Sequence, residues 1–275
     1  EGVRAHLRHR ADVAALHANY WLSGVAAHRI KHELGLPLVS TFHTLARVKA
    51  ISGDDEPQRR VQAEAEIIGC ADVLLASCRT EAEQLVELYD AAPDRIEVVP
   101  PGVDHAFFSP GDRRGARTAL GLDDRPVVLF AGRIQPLKRL GLAVETLAAS
   151  TVDDAVLVVV GGPSGPDGVA ELASVRRRIA ALGLDERVRF VPPQPHHLLS
   201  SWYRAADVVL VPSRSESFGL VALEAAACGV PVVAAAVGGL TTVVDDGRTG
   251  HLVDGDRPED YAARLDALLG DERSR

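Results

Sequence analysis

The chain has 275 residues, 47% hydrophobic and 25% charged, with a net charge of −8. These are ordinary globular values that exclude disorder and fibrous repeats. An acidic balance also argues against a nucleic-acid surface, which needs clustered cations to neutralise phosphate, so no nucleic-acid partner is expected. The longest uncharged runs, such as "VPVVAAAVGGL", fall short of the roughly 18–20 apolar residues that span a bilayer, and no transmembrane segment is expected. Cys70, Cys78 and Cys228 are odd in number and lack a CxxC partner. They read as small buried hydrophobes in a reducing compartment, with the cytoplasm as the expected location. Glu1 as first residue, no methionine anywhere and no signal-peptide pattern lead us to expect a piece of a longer chain.

In chain order, short Val/Leu/Ile runs alternate with segments of helical period, the pattern of βα units around parallel sheets. The first series of strands is expected at Asp12 to His17, Pro37 to His43, Asp72 to Ser77 and Arg95 to Pro100. Helices are expected over "SGVAAHRIKHELG", "EPQRRVQAEAEIIGC" and "TEAEQLVELYD", the last capped by Thr80 with Glu83 three residues on. Residues 105–124 carry Pro, Gly and Asp punctuation and read as a linker. A second series follows at Val127 to Gly132, Ala155 to Gly162, Arg187 to Pro192, Asp207 to Ser213 and Pro231 to Val237. Its near-continuous apolar strands imply a sheet covered on both faces. The expectation is therefore two doubly wound α/β domains, residues 1–104 and 125–275, with ligands at the carboxyl ends of their strands and in a cleft between them.

Those strand ends carry the candidate chemistry. After the strand from Val127, "GRIQPLK" sets Arg133 and Lys138 around a strand-to-helix turn. Two cations beside a helix N-terminus suit a phosphate or diphosphate, although solvated surface cations account for them equally well. The glycines of "VVGGPSGPDG", Gly161, Gly162, Gly165 and Gly168, permit close backbone approach to a ligand or simply the turns of a flexible loop. The segment "SESFGLVALEAAACGVP" places Glu216 in a turn and Glu224 eight positions on, inside a helix expected from Phe218 to Cys228. Each carboxylate can accept two hydroxyls, as the vicinal diols of a sugar or ribose present them. The bland alternative is a dipole-stabilised Glu216 and a stray Glu224, but an unpaired acid among Leu223, Ala225, Ala226 and Ala227 is costly if buried.

In the first series, His17, Asn19, Tyr20, His43, Thr44, Arg47 and Lys49 project from adjacent strand ends. A lone histidine there is usually structural, whereas a cluster of hydroxyl, imidazole and cation is a pocket candidate. Arg60 and Glu64, spaced i and i+4, fit a surface pair worth a few tenths of a kcal/mol. A Rossmann dehydrogenase is disfavoured, because no GxGxxG strand-turn-helix with a following acid occurs.

"ESFGLVALE" together with "GRIQPLK" resembles the retaining glycosyltransferases of family 4 along nearly the whole chain. The resemblance implies the GT-B fold: two Rossmann-like doubly wound parallel-sheet domains facing a cleft, with residues 1–104 the incomplete acceptor-binding domain and 125–275 the donor-binding one. "HANYWLSG", "FHTLARVK" and "GGPSGPDG" are most similar to members that open mycothiol synthesis by moving N-acetylglucosamine from UDP-N-acetylglucosamine to 1D-myo-inositol 3-phosphate. Another family 4 hexosyltransferase with a sugar-phosphate or lipid acceptor, and an inactive nucleotide-sugar-binding fragment, remain the alternatives.

By the same resemblance, Arg133 and Lys138 hold the donor diphosphate and neutralise the departing UDP, Glu216 contacts the donor sugar, and Glu224 holds the uridine ribose. Ser217, Phe218, Gly219 and Leu220 assist through backbone N–H groups, and Gln194 lies near the base, where close relatives often carry arginine. His43 stands beside the reaction centre, and Tyr20, Thr44 and Arg60 contact the acceptor phosphate. Tyr203, Arg204 and Ala206 of "WYRAAD" match a magnesium-adjacent stretch, so Mg2+ is the one metal implied, with no tightly bound cofactor. The implied partners are a nucleotide sugar, a small acceptor and a second subunit in a homodimer. A glycine-rich loop and an acceptor lysine are expected upstream of Glu1, and a terminal helix beyond Arg275.

Overall fold

The computed structural model describes residues 2–7, 10, 12–54 and 56–270. The chain divides into two compact units, Glu1–Pro101 and Gly102–Arg275.

The first unit runs α1 (Gly2–Leu7), β1 (Leu16–Asn19), α2 (Tyr20–Leu34), β2 (Leu38–Thr41), α3 (Ala46–Ile51), α4 (Gln58–Cys70), β3 (Val73–Ala76), α5 (Arg79–Tyr89) and β4 (Ile96–Val98). Its four strands pair in parallel in the order β1-β2-β3-β4. Leu38, Leu74 and Ala76 point from the strands into a core completed by Ile67 and Ile68 of α4 and Leu85 of α5. The strands fall within or beside the stretches expected, except that the first starts at Leu16 rather than Asp12. The cap of α5 also differs: Cys78 holds the cap position, and Glu81 reaches back to accept the Ser77 N–H at 2.6 Å and the Ser77 hydroxyl. Thr80 and Glu83 lie inside the helix instead.

The second unit runs α6 (Arg113–Leu120), β5 (Val127–Ala131), α7 (Leu140–Ala149), β6 (Val156–Val160), α8 (Gly168–Ala181), β7 (Val188–Val191), α9 (His196–Ala205), β8 (Val208–Val211), α10 (Leu220–Ala227), β9 (Val232–Ala235), α11 (Leu240–Val243), β10 (Gly250–Val253) and α12 (Pro258–Gly270). Six parallel strands take the order β10-β9-β8-β5-β6-β7. Side chains alternate across a strand, so each apolar run feeds two cores. Val128 and Phe130 enter a core with α7, α8 and α12, while Val127 and Leu129 enter one with α9 and α10. All five residues of β6, Val-Leu-Val-Val-Val, are buried, as a central parallel strand covered on both faces requires.

Two features escaped the hydrophobic pattern. The sixth strand, β10, is four residues of Gly-His-Leu-Val between turns, too short and mixed to register as a run. The stretch 105–124, read as a linker, contains α6, and α6 packs on α9 within the second unit. It docks through charge as well as grease. Arg117 donates to the Ala205 carbonyl at 2.9 Å and to Asp207 Oδ2 at 2.5 Å, and Arg113 also pairs with Asp207. Asp207 is fully buried and accepts the Val127 N–H at 2.6 Å as well. One carboxylate therefore joins α6 to the first residue of β5 and the approach to β8. Replacing Asp207 with asparagine leaves the Arg117 guanidinium buried without its counter-charge, a change that costs about 3 kcal/mol. Urea unfolding of D207N against the parent chain measures it; a loss under about 1 kcal/mol would mean that this carboxylate does not dock α6.

Candidate functional site

Parallel strands put all their carboxyl ends on one edge, and in the second unit the strand order reverses between β5 and β8. In open α/β sheets that reversal opens a crevice, because the chain leaves the two neighbouring strands towards opposite sides. The loops that leave β5 and β8 are tied together there. The Arg214 N–H donates to the Leu137 carbonyl at 2.8 Å, and Lys138 Nζ meets Glu216 Oε2 at 2.5 Å. Ser213 donates to the same carboxylate oxygen at 3.3 Å. The pair is about one-fifth exposed on both sides, and ion pairs reached by water contribute at most about 1 kcal/mol. Fold stability alone gives little reason for it, while an anion or hydroxyl guest gives one. Arg133, from the same β5 loop, is exposed and makes no hydrogen bond or ion pair among the described residues.

The β9 loop closes on the Glu216 turn from the other side. The Gly239 N–H donates to the Glu216 carbonyl at 3.0 Å, and a Cβ on Gly238 would stand 2.0 Å from that same carbonyl oxygen. The sequence reading missed this Gly-Gly pair. Its signal is two glycines directly after a buried strand, where a neighbouring backbone must come within contact distance. No side chain caps α10, which starts at Leu220 rather than Phe218. Its first N–H groups, from the turn that holds Ser217, Phe218 and Gly219, lie at the carboxyl edge of β8.

Glu224 is buried but not unpaired, so the alternative of a stray acid does not hold. The Tyr203 hydroxyl donates to its Oε2 at 2.7 Å, and His196 Nε2 lies 2.8 Å from its Oε1. Tyr203 is sealed inside, whereas His196, the first residue of α9, is exposed. One carboxylate oxygen is thus anchored in the core and the other faces a partner that water reaches. Burial first, and then the charge and hydrogen bond of Glu224, hold the Tyr203 phenol protonated well above its ordinary value of 10.

The remaining expectations on this unit divide. Gln194 Nε2 donates to the Pro192 carbonyl at 2.9 Å beside the end of β7. Tyr203, Arg204 and Ala206 do not make a magnesium site with their side chains. Tyr203 is committed to Glu224, Arg204 donates to the carbonyls of Ser109 at 2.8 Å and Phe107 at 2.7 Å, and Ala206 offers no donor atom. The glycine-rich loop after β6 has a packing reason: a Cβ on Gly161 would meet the Gly132 carbonyl oxygen at 1.8 Å, so the β5 and β6 loops touch backbone to backbone.

In the first unit, Tyr20, Thr44 and Arg60 do come together. Arg60 Nη2 donates to Thr44 Oγ1 at 2.9 Å and to the Thr44 carbonyl at 3.0 Å, and its guanidinium carbon lies 5.2 Å from the Tyr20 ring centre. Arg60 and Glu64 are not a surface pair. Both are buried and joined at 2.7 Å, and Glu64 also accepts the Ala46 N–H and the Tyr89 hydroxyl. His43 lies one loop away, with Nε2 at 3.1 Å from Asn19 Oδ1. Tyr20 and His43 both adopt positive φ, 73° and 62°. A non-glycine residue so held costs roughly 1–3 kcal/mol, and such strain gathers at functional sites. Lys49, by contrast, is spent on Asp54 at 2.7 Å and on Glu56.

Two doubly wound parallel-sheet units, with cations and carboxylates on the carboxyl rim of the second, define the GT-B class of glycosyltransferase fold. The chain belongs to the glycosyl transferases group 1 family, whose model matches residues 112–275, while the model for Glycosyltransferase Family 4 matches residues 2–107. D-inositol 3-phosphate glycosyltransferase of Acidothermus cellulolyticus is 52% identical over 268 residues, which cover 92% of this chain and 59% of that protein. The protein of the same name from Mycobacterium sp. (strain KMS) is 51% identical, with 92% of this chain and 58% of the relative covered. This chain therefore spans about three-fifths of the length of these curated relatives. Among solved structures, sucrose-phosphate synthase from Thermosynechococcus elongatus superposes with a TM-score of 0.88 at 31% identity, covering 97% of this chain and 67% of that one. Anabaena HepE, crystallised with UDP and glucose, shares the fold at 22% identity with a TM-score of 0.88, covering 99% and 72%. No described helix is long and apolar enough to cross a membrane.

The Tyr203–Glu224 bond has a measurable pH signature. Above about pH 10 the unfolded chain releases a phenol proton that the folded chain keeps, so stability falls as pH rises, by about 1.4 kcal/mol per unit for each such tyrosine. Tyr261, also raised, to about 12 by burial, contributes its own slope in both proteins. The stability gap between the parent and Y203F should therefore narrow at that rate above pH 10 in urea unfolding. A gap that stays constant with pH would contradict a protonated, buried Tyr203.

Proposed function

We propose that this chain forms the greater part of a retaining glycosyltransferase that moves a sugar from a nucleotide diphosphate donor to an inositol phosphate. The Lys138–Glu216 pair at the strand reversal, with Arg133 on the same β5 loop, carries the reading: two cations for a diphosphate and a carboxylate for sugar hydroxyls share one rim. The relatives at about 50% identity, all named D-inositol 3-phosphate glycosyltransferase, support the acceptor. We propose N-acetylglucosamine as the donor sugar and UDP as the nucleotide that carries it.

Roles follow from the partners each residue has. Lys138 and Arg133 balance the charge that grows on the diphosphate as the C1–O bond to it breaks, a stabilisation stronger in the transition state than in the ground state. Glu216, held by Lys138 and Ser213, accepts hydroxyls of the transferred sugar. Glu224 keeps Tyr203 on one oxygen and exchanges exposed His196 for a ribose hydroxyl on the other. The backbone N–H groups at the start of α10 face the phosphate. A new bond forms from an acceptor oxygen to C1 on the face the leaving group departs from, and the acceptor proton passes to a phosphate oxygen of the departing nucleotide. No enzyme nucleophile takes part. In the first unit, Arg60 and Thr44 receive the acceptor phosphate over the Tyr20 ring, and the strained His43 stands by the reacting hydroxyl.

The experiment is to incubate the protein with labelled UDP-N-acetylglucosamine, UDP-glucose and GDP-mannose, each with and without inositol 3-phosphate. Release of nucleotide that depends on the acceptor is expected with UDP-N-acetylglucosamine; none with any pair would overturn the transferase reading. Calorimetric titration with UDP separates the two acids. E224A should weaken UDP binding at least tenfold, the loss of about 1.4 kcal/mol expected for hydrogen bonds to a charged group. E216A should leave UDP affinity nearly unchanged and lower turnover. Equal, negligible effects of both substitutions would refute these roles.

A further inference from the structure

The first unit carries a second cluster of chemistry at the opposite edge of its sheet. His28 and His32 are one turn apart on α2, and Cys70 is the last residue of α4. Spacing of i and i+4 stacks two side chains on one helix face, and the two rings do meet, 4.9 Å between centres. His32 Nε2 lies 3.1 Å from Cys70 Sγ, and one donor atom from each of the three residues falls within 4.8 Å of the others. The sequence reading assigned Cys70 to the buried core; it is only partly buried, and His32 is exposed.

The scaffold beneath this cluster is firm. One turn before His28, α2 packs against α4 so tightly that a Cβ on Gly24 would stand 2.7 Å from Ile67 Cδ1. Arg95 donates to the Gly69 and Ala71 carbonyls at 3.2 and 2.9 Å and so pins the end of α4 on both sides of Cys70. Twelve residues of helix separate Tyr20 from His32, roughly 18 Å along the axis, so the cluster stands apart from the Tyr20, Thr44 and Arg60 group.

We propose that His28, His32 and Cys70 form a binding site for a divalent transition metal of borderline softness, of the zinc class. Two imidazoles and a thiolate are the donors such an ion prefers, whereas magnesium prefers oxygen. Bonds of about 2.0–2.3 Å arranged tetrahedrally separate ligand atoms by roughly 3.3–3.8 Å. The 3.1 Å contact and the 4.8 Å spread bracket that range, so a small rotation of the exposed His32 completes the set. Binding forms two metal–nitrogen bonds and one metal–sulfur bond and releases the thiol proton to solvent. Three protein ligands leave a fourth position for water, and the ion clips the end of α2 to the end of α4.

The test uses the tag-free chain and cobalt(II) as a coloured substitute for zinc. One equivalent should produce the near-ultraviolet sulfur-to-cobalt charge-transfer band and the intense visible bands of four-coordinate cobalt. Cys70→Ser should abolish the charge-transfer band, and His28→Ala and His32→Ala should each weaken cobalt binding at least about tenfold. Zinc should also slow alkylation of Cys70 in the unaltered chain at least about tenfold, read by peptide mass spectrometry, a result that no variant's folding can confound. Spectra of six-coordinate cobalt without the sulfur band, a band that survives Cys70→Ser, or alkylation unaffected by zinc would each overturn the proposal and leave a His32–Cys70 hydrogen bond only.

Discussion

Everything on the rim of the second unit depends on one topological constraint. All six strands run the same way, so their carboxyl ends share an edge, and β8 lies against β5 rather than β7. Between β5 and β8 the connecting segments depart in opposite directions and leave backbone and side chains converging on a gap. Lys138 and Glu216, 78 residues apart in sequence, are neighbours for that reason alone. The Gly238–Gly239 turn then brings the β9 loop close enough to hold the Glu216 backbone in place. A ligand that needs cations and hydroxyl acceptors within a few ångströms of each other finds them already assembled.

A second constraint is the matching of buried acids. Four carboxylates are buried among the described residues; Glu81 holds Ser77 at the start of α5, and the other three tie separate elements together through their donors. Asp207 joins α6 to the start of the second sheet through Arg117, Arg113 and the Val127 N–H. Glu64 joins α4 to α3 and α5 through Arg60, the Ala46 N–H and Tyr89. Glu224 joins α10 to α9 through Tyr203 and His196. An unmatched charge at any of these places would cost several kcal/mol. The first two acids are wholly enclosed, which suits purely structural roles. Glu224 differs because one of its partners is exposed, and that difference makes it the acid that a ligand can reach.

How far the site could be read in the sequence follows from the kind of contact involved. Arg133, Lys138 and Glu216 stood out because they follow apolar strands, whose ends are legible from hydrophobic runs, and Glu224 because it is a lone acid in an apolar helix. Helix α6 did not, because its docking rests on a buried Arg117 as well as on apolar contact, and a buried arginine has no hydrophobic signature. Arg60 and Glu64 looked like a surface pair because helical spacing is the same for exposed and buried neighbours, and burial is set by elements elsewhere in the chain. His32 and Cys70 are 38 positions apart, and no local pattern joins them.

Composition, hydrophobic period and turn residues by themselves determined an α/β protein of two doubly wound units, nearly all its strands, and the rim residues of the second unit. These are local properties, written into each segment by which faces it must bury and where it must turn. Tertiary structure alone decided which acids are paired and with what, that the supposed linker holds a docked helix, and that two histidines and a cysteine converge where the ends of α2 and α4 meet. Those are matters of distance between remote segments. They depend on strand order and on the angle at which one helix crosses another, and neither quantity leaves a mark on the sequence of either partner.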